Sequence, residues 1–221
     1  EGLFATRPLE RDLRDSNPWW RGDRVADLPP VRRWAFQAVL DGLSRGFTKV
    51  VALRGPRQVG KTTLLNQIVD HLLDAGTDPR SIFRIQFDDL PDLKRLSMPI
   101  LELCHWYADT VLQTSFARAA RHGFRPIIFL DEVQNLPDWA PQLKHLVDLN
   151  PVRALITGSS ALRIEAGRDS LAGRLTTIEM GPLLLREIAE FRRLGAIAPL
   201  LPHNGLRPLK EREFWRELRA H

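Results

Sequence analysis

The sequence predicts an α/β fold built around a parallel sheet, and three observations lead there. Short apolar, β-branched runs such as Val50-Val51-Ala52-Leu53 and Ile127-Ile128-Phe129-Leu130 read as strands buried on both faces. Segments with helical spacing alternate with those runs, as the crossovers between parallel strands require. With 221 residues, 43% of them hydrophobic and 27% charged, the chain can bury one sizeable α/β core and part of a second unit.

Residues 1–30 are rich in Arg, Asp and Pro around Asn17-Pro18-Trp19-Trp20 and read as an N-terminal lead-in with one short helix. Val31, Trp34, Ala35, Ala38, Val39 and Leu43 recur at helical spacing and predict a helix over 31–45. A strand follows at Val50–Leu53, then a helix from about Lys61 to Ala75 that Gly76 and Pro79 close. Ile82 to Phe87 alternates as a second strand, and Pro99 to His122 reads as one long helix ended by Gly123. Ile127–Leu130 predicts a third strand, Pro137–Leu149 a helix, Ala154–Ile156 a fourth strand and Leu175–Met180 a fifth. These elements place the core domain at 31–180. Helices near Leu183–Leu194 and Lys210–Arg219 come after the sheet is complete, so 181–221 reads as the opening of a second, incomplete unit.

The apolar runs fall far short of the roughly 18 residues of a membrane helix, so no membrane association is expected. Glu1-Gly2-Leu3-Phe4 lacks the pattern of a signal peptide, which makes the cytoplasm the expected location. Cys104 is the single cysteine, and the histidines show no ligand spacing with it, so neither an internal disulfide nor a structural zinc is expected. A formal net charge of +5 raises the question of nucleic acid, but acids and bases are interspersed, which favours a mixed solvated surface.

Gly55-Pro56-Arg57-Gln58-Val59-Gly60-Lys61-Thr62, followed by Thr63, fits G-x-x-x-x-G-K-[ST] between a buried strand and a helix. The glycines let backbone N–H groups close on phosphate oxygens, the positive end of the helix completes an anion cradle, and Lys61 brings a full charge to the β and γ phosphates. Lys61 is expected to face solvent and to touch phosphate alone. Thr62 offers its hydroxyl to Mg²⁺, so ATP and Mg²⁺ are the expected cofactors.

Asp131 and Glu132 end an apolar strand at the carboxyl edge, where ligands gather in parallel sheets. Asp131 is the candidate to hold Mg²⁺ through its water shell, and Glu132 the base that polarises an attacking water. Capping of the next helix is the plainer role for Glu132. Thr157-Gly158-Ser159-Ser160 brings hydroxyls to the same edge, and Ser159 is the candidate to contact the γ phosphate or the water, with helix capping as its alternative. Ser170-Leu171-Ala172-Gly173-Arg174 sets an arginine before the fifth strand, either a finger for a neighbouring subunit's nucleotide or a surface ion-pair partner.

GPRQVGKTTLL, FLDEVQ, ITGSSA and SLAGR, in this order and spacing, resemble a prokaryotic family of AAA+ ATPases whose ATPase domain precedes a C-terminal domain of ill-defined, nuclease-like or DNA-associated role. The resemblance covers about residues 16–195, Asn17-Pro18-Trp19-Trp20 included. It implies a P-loop NTPase with a five-stranded sheet of order 5-1-4-3-2, ATP and ADP as ligands, an active homo-oligomer, DNA as a partner and Arg174 as the finger. It also puts the strand before Asp88-Asp89 at the sheet edge, so those acids are not counted as metal ligands. The expected function is Mg²⁺-dependent ATP hydrolysis by an AAA+ switch or motor domain. The rivals are a small-molecule or nucleoside kinase, with Arg163 and Arg168 as the only trace of a lid, and a nucleotide-gated module that binds without hydrolysis.

Overall fold

Five strands, β1 (Val50–Arg54), β2 (Ile82–Gln86), β3 (Ile127–Asp131), β4 (Arg153–Gly158) and β5 (Leu175–Glu179), form one parallel sheet in the order β2-β3-β4-β1-β5. This is the 5-1-4-3-2 order that the resemblance implies, read from the other edge. The computed structural model describes residues 7–45, 47–88, 93, 96–159, 171–202 and 208–220. Glu1–Phe4, Asp89, Ser160, Arg163, Arg168 and Ser170, named above, lie outside the described residues.

Side chains alternate across the strands, and each face has its own core. Val51, Leu53, Ile82, Phe129 and Leu155 pack with α2 (Ala35–Arg45) and α3 (Lys61–Asp74). Val50, Ala52, Phe83, Ile85, Ile128, Leu130, Ala154 and Ile156 pack on the other face with α4 (Pro99–Tyr107) and α6 (Trp139–Leu149). Both faces are therefore apolar, which is why the strands read as continuous apolar runs.

The long helix expected over 99–122 is broken. After α4 the chain widens into a π-helical turn at Ala108–Leu112, Gln113 takes a left-handed φ of 55°, and α5 (Phe116–Arg121) starts afresh with the Ser115 hydroxyl accepting from Arg118 N–H. Buried Tyr107 stacks on Phe83 of the sheet and buried Phe116 packs on Tyr107, which fixes both halves, and the wide turn takes up the mismatch. The helix expected from Val31 begins at Ala35; Trp34 N–H, just before it, donates to the side chain of Glu187 in place of a helical carbonyl.

The lead-in forms α1 (Arg7–Asp15) and a single 3₁₀ turn at Pro18–Arg21, and Leu9, Leu13 and Trp19 are buried. Asn17 lies beside the edge strand β2, where its amide nitrogen donates to Arg84 C=O and its oxygen accepts from Arg84 N–H. The indoles of Trp19 and Trp20 both donate to Ile82 C=O. Past the sheet, α7 (Leu185–Phe191) and α8 (Glu211–Arg219) contribute to a separate apolar cluster of Ala189, Ile197, Ala198, Leu200, Leu201 and Phe214.

Candidate functional site

The loop from Gly55 to Gly60 joins β1 to α3. A Cβ on Gly55 would lie 2.0 Å from the Met180 carbonyl oxygen, so only hydrogen fits there. Gly60 takes a φ of +92° at the start of α3, a region open to glycine, and Gln58 takes +62° despite its side chain. Left-handed backbone at a non-glycine residue costs about 1–3 kcal/mol and persists where the surroundings over-determine it. Glu132, across the site, shares the feature with a φ of 52°.

The expectation that Lys61 faces solvent is corrected by the structure. The residue is buried, and its ammonium donates to Gly55 C=O at 3.1 Å and Pro56 C=O at 2.9 Å and lies 3.5 Å from Glu132 Oε1. An ammonium has three donors, and the loop's own carbonyls and one carboxylate satisfy them.

Asp131 sits at the exit of β3 with no exposed surface. Its Oδ1 accepts from the Thr157 hydroxyl at 2.5 Å and the Thr62 hydroxyl at 3.3 Å, and its Oδ2 accepts from Arg84 Nη2 at 2.9 Å. Sequence reasoning missed Arg84. The register pairs Gln86 with Asp131, so Arg84 and Gln86 share the face toward which Asp131 points, and Arg84 Nη2 also donates to Gln86 Oε1 at 2.8 Å. The signal that was available is a buried cation at an inward position of the apolar strand Ile82-Phe83-Arg84-Ile85.

Glu132 N–H donates to Thr157 Oγ1 at 3.0 Å, so Thr157 ties both acids to β4. The Gln134 amide, also missed in the sequence, donates to Glu132 Oε2 and to Ser159 Oγ, which gathers Ser159 to the same carboxylate. Burial pushes the Glu132 carboxyl up, but hydrogen bonds from Gln134, the charge of Lys61 and a hydrogen bond from Ser159 outweigh it, and the group is held below its ordinary value. Glu132 is therefore ionised at neutral pH. Lys61, Thr62, Asp131, Glu132 and Ser159 thus come together at the carboxyl edge of β1, β3 and β4.

Arg174 stands apart from them. Its carbonyl accepts Val50 N–H at the entry of β1, a strand length of about 16 Å from the loop at the exit, and its guanidinium pairs with Asp148. Beside the loop a cavity of about 520 Å³ is lined by Val31, Gln58, Val59, Thr63, Leu183 and Phe191, among others.

Among the described residues no three His, Cys, Asp or Glu side chains converge on a metal position. Thr62 and Asp131 instead offer one hydroxyl and one carboxylate, hard oxygen donors suited to an Mg²⁺ that completes its shell with phosphate oxygens and water. Among the described residues no helix is long and apolar enough to cross a membrane.

A glycine-bounded loop entering a helix from the first strand, on a parallel sheet of this order with acids on the third strand, defines the P-loop class of nucleotide-binding proteins. Within that class the chain belongs to the AAA domain family, which matches residues 47–189. It is 31% identical over 173 residues to Uncharacterized protein Rv2008c of Mycobacterium tuberculosis and equally to Uncharacterized protein Mb2031c of Mycobacterium bovis, covering 76% of this chain and 33% of each relative. The chain thus spans about a third of the length of these relatives. It is 29% identical over 139 residues to Uncharacterized protein MJ1637 of Methanocaldococcus jannaschii, covering 63% of this chain and 27% of that one. Its fold is similar to the Walker-type ATPase PABY2304 of Pyrococcus abyssi, with a TM-score of 0.52 at 18% identity over 80% of this chain and 64% of that one. It is also similar to the Hsp104–ADP complex of Saccharomyces cerevisiae, with a TM-score of 0.53 at 16% identity over 75% of this chain and 24% of that one.

Proposed function

We propose that the chain binds ATP with Mg²⁺ and hydrolyses it, acting as an AAA+ switch or motor domain. The observation that carries this reading is the contact of Lys61 with Glu132, which joins a phosphate-binding cation to an ionised carboxylate beside Asp131 and Thr62. The loop N–H groups and Lys61 hold the β and γ phosphates, and the apolar cavity beside Val59 takes the nucleobase. Thr62 and Asp131 hold Mg²⁺, which when bound neutralises charge on the phosphate oxygens. When Lys61 turns to phosphate, Glu132 is released to accept a proton from the water whose oxygen bonds to the γ phosphorus as the bond to the bridging oxygen breaks. Ser159 contacts that water or the γ phosphate, a role that its bond to Gln134 beside Glu132 supports.

The reading extends to a homo-oligomer in which Arg174, remote from its own loop, serves the nucleotide of a neighbour. Residues 181–221 open a second unit, as their separate apolar cluster supports, and association with DNA is the output to be tested.

Two measurements check it. In the parent protein, ATP with Mg²⁺ at 100 times its Kd should stabilise the fold by about 2.7 kcal/mol, seen as a rise in Tm, and Lys61→Ala should abolish that rise. Arg174→Ala and Lys61→Ala should each lack ATPase activity alone, while their mixture recovers it by pairing an intact loop with an intact arginine. No recovery in a mixture shown by sizing to co-assemble removes Arg174 from catalysis. Running the same assay with single- and double-stranded DNA tests the DNA association, and an unchanged rate counts against it.

A further inference from the structure

Arg33 lies before α2, far in sequence from the segment that follows the sheet, yet it joins that segment to the loop. Its guanidinium is buried and spends all three nitrogens: Nε donates to Glu187 Oε1 at 2.8 Å, Nη1 donates to Val59 C=O, and Nη2 donates to Gly181 C=O and Pro182 C=O, each at 3.0 Å. Glu187, at the start of α7 and equally buried, also accepts Trp34 N–H and Leu184 N–H at 2.8 Å each. The two charges neutralise each other, and their remaining hydrogen-bonding capacity goes to backbone groups of three separate segments.

The Val59 contact bears on the anion cradle. A trans peptide is planar with its C=O and N–H pointing in opposite directions. Drawing the Val59 carbonyl onto Arg33 therefore turns Gly60 N–H away from Arg33, and the +92° φ of Gly60 lets α3 begin from that orientation. A planar fork that reaches three directions suits arginine and not lysine. When the N–H of a peptide donates to an anion, the C=O of the same peptide becomes a better acceptor, so phosphate on Gly60 N–H strengthens the bond from Val59 to Arg33.

We propose that Arg33 and Glu187 are positioning residues that hold the Val59–Gly60 peptide in its phosphate-receiving orientation and couple occupancy of the loop to the seating of residues 181–191. The proposal rests on the reading that this loop binds a nucleoside polyphosphate. Coupling of this kind is reciprocal: ADP tightens α7, and a loosened α7 weakens ADP.

The test uses ADP, calorimetry and amide hydrogen exchange on the parent chain, Arg33→Lys and Glu187→Gln. In the parent, ADP should slow exchange over 184–191. Arg33→Lys keeps the charge beside Glu187 but loses the fork, and ADP affinity should fall about 5- to 150-fold, the span of typical couplings, with α7 exchange no longer responding to ADP. Glu187→Gln keeps the acceptor shape and should uncouple α7 in the same way, so it carries the test if the lysine variant does not fold. Parent-like ADP affinity in a folded Arg33→Lys, or an undiminished response of α7 in a folded variant, overturns the proposal. A parent chain that binds no ADP overturns the nucleotide reading itself, and the coupling with it.

Discussion

Replacing Arg84 by methionine is expected to destabilise the fold by about 3–5 kcal/mol, a large part of the roughly 5–15 kcal/mol available to a domain. The side chains of Arg84 and Asp131 are 9% and 1% exposed and 2.9 Å apart, so each charge relies on the other in a place that water does not reach. Arg84→Met leaves the carboxylate buried with only hydroxyl donors, from Thr157 and Thr62, and hydroxyls do not cancel its charge. Urea unfolding measures the loss as a lower midpoint at unchanged m. The double variant Arg84→Met/Asp131→Asn removes both charges and should recover most of the stability. If the single variant loses less than about 1 kcal/mol, the pair behaves as an exposed one and does not organise the site.

Glu132→Gln should slow ATP turnover by about 10²- to 10⁴-fold while nucleotide affinity stays close to the parent's. The amide keeps the shape and one acceptor for Gln134 but cannot take a proton from water. Removing the carboxylate also frees Lys61 from its contact with Glu132. Single-turnover kinetics against equilibrium binding separates the two effects, and turnover at the parent rate would assign Glu132 to a structural role. The sign of the pH dependence follows from the lowered Glu132 carboxyl: the carboxylate persists to lower pH than an ordinary glutamate's, and activity that depends on it declines as pH falls through that lowered value.

The parts of the site legible in the sequence are those whose spacing is covalent. Gly55 to Thr62 forms its loop within eight consecutive residues, and Asp131 and Glu132 follow their apolar strand directly. Arg84 and Asp131 are 47 positions apart, and Arg33 and Glu187 are 154 apart; only the strand register and the closure of the fold bring them into contact. The burial of Lys61 could not be read either, because a motif specifies what a lysine offers phosphate and not which carbonyls it otherwise meets. The break after Tyr107 carries no proline or glycine, though Ser115, which caps α5, was a sign of a new start.

The amide of Asn17 and the indoles of Trp19 and Trp20 do for the outer side of β2 what a sixth strand would do. Side chains, unlike a strand, present no further ladder of backbone groups, so at Ile82 and Arg84 the outer side of β2 is already paired and blunted. The residue they border is Arg84, whose guanidinium reaches Asp131, so the height at which that guanidinium meets the acid is fixed from outside the sheet. The AAA domain match spans residues 47–189, and the residue that clamps Arg84, Asn17, precedes it. The lead-in thus reaches the site at one remove, through the backbone of the strand that carries Arg84.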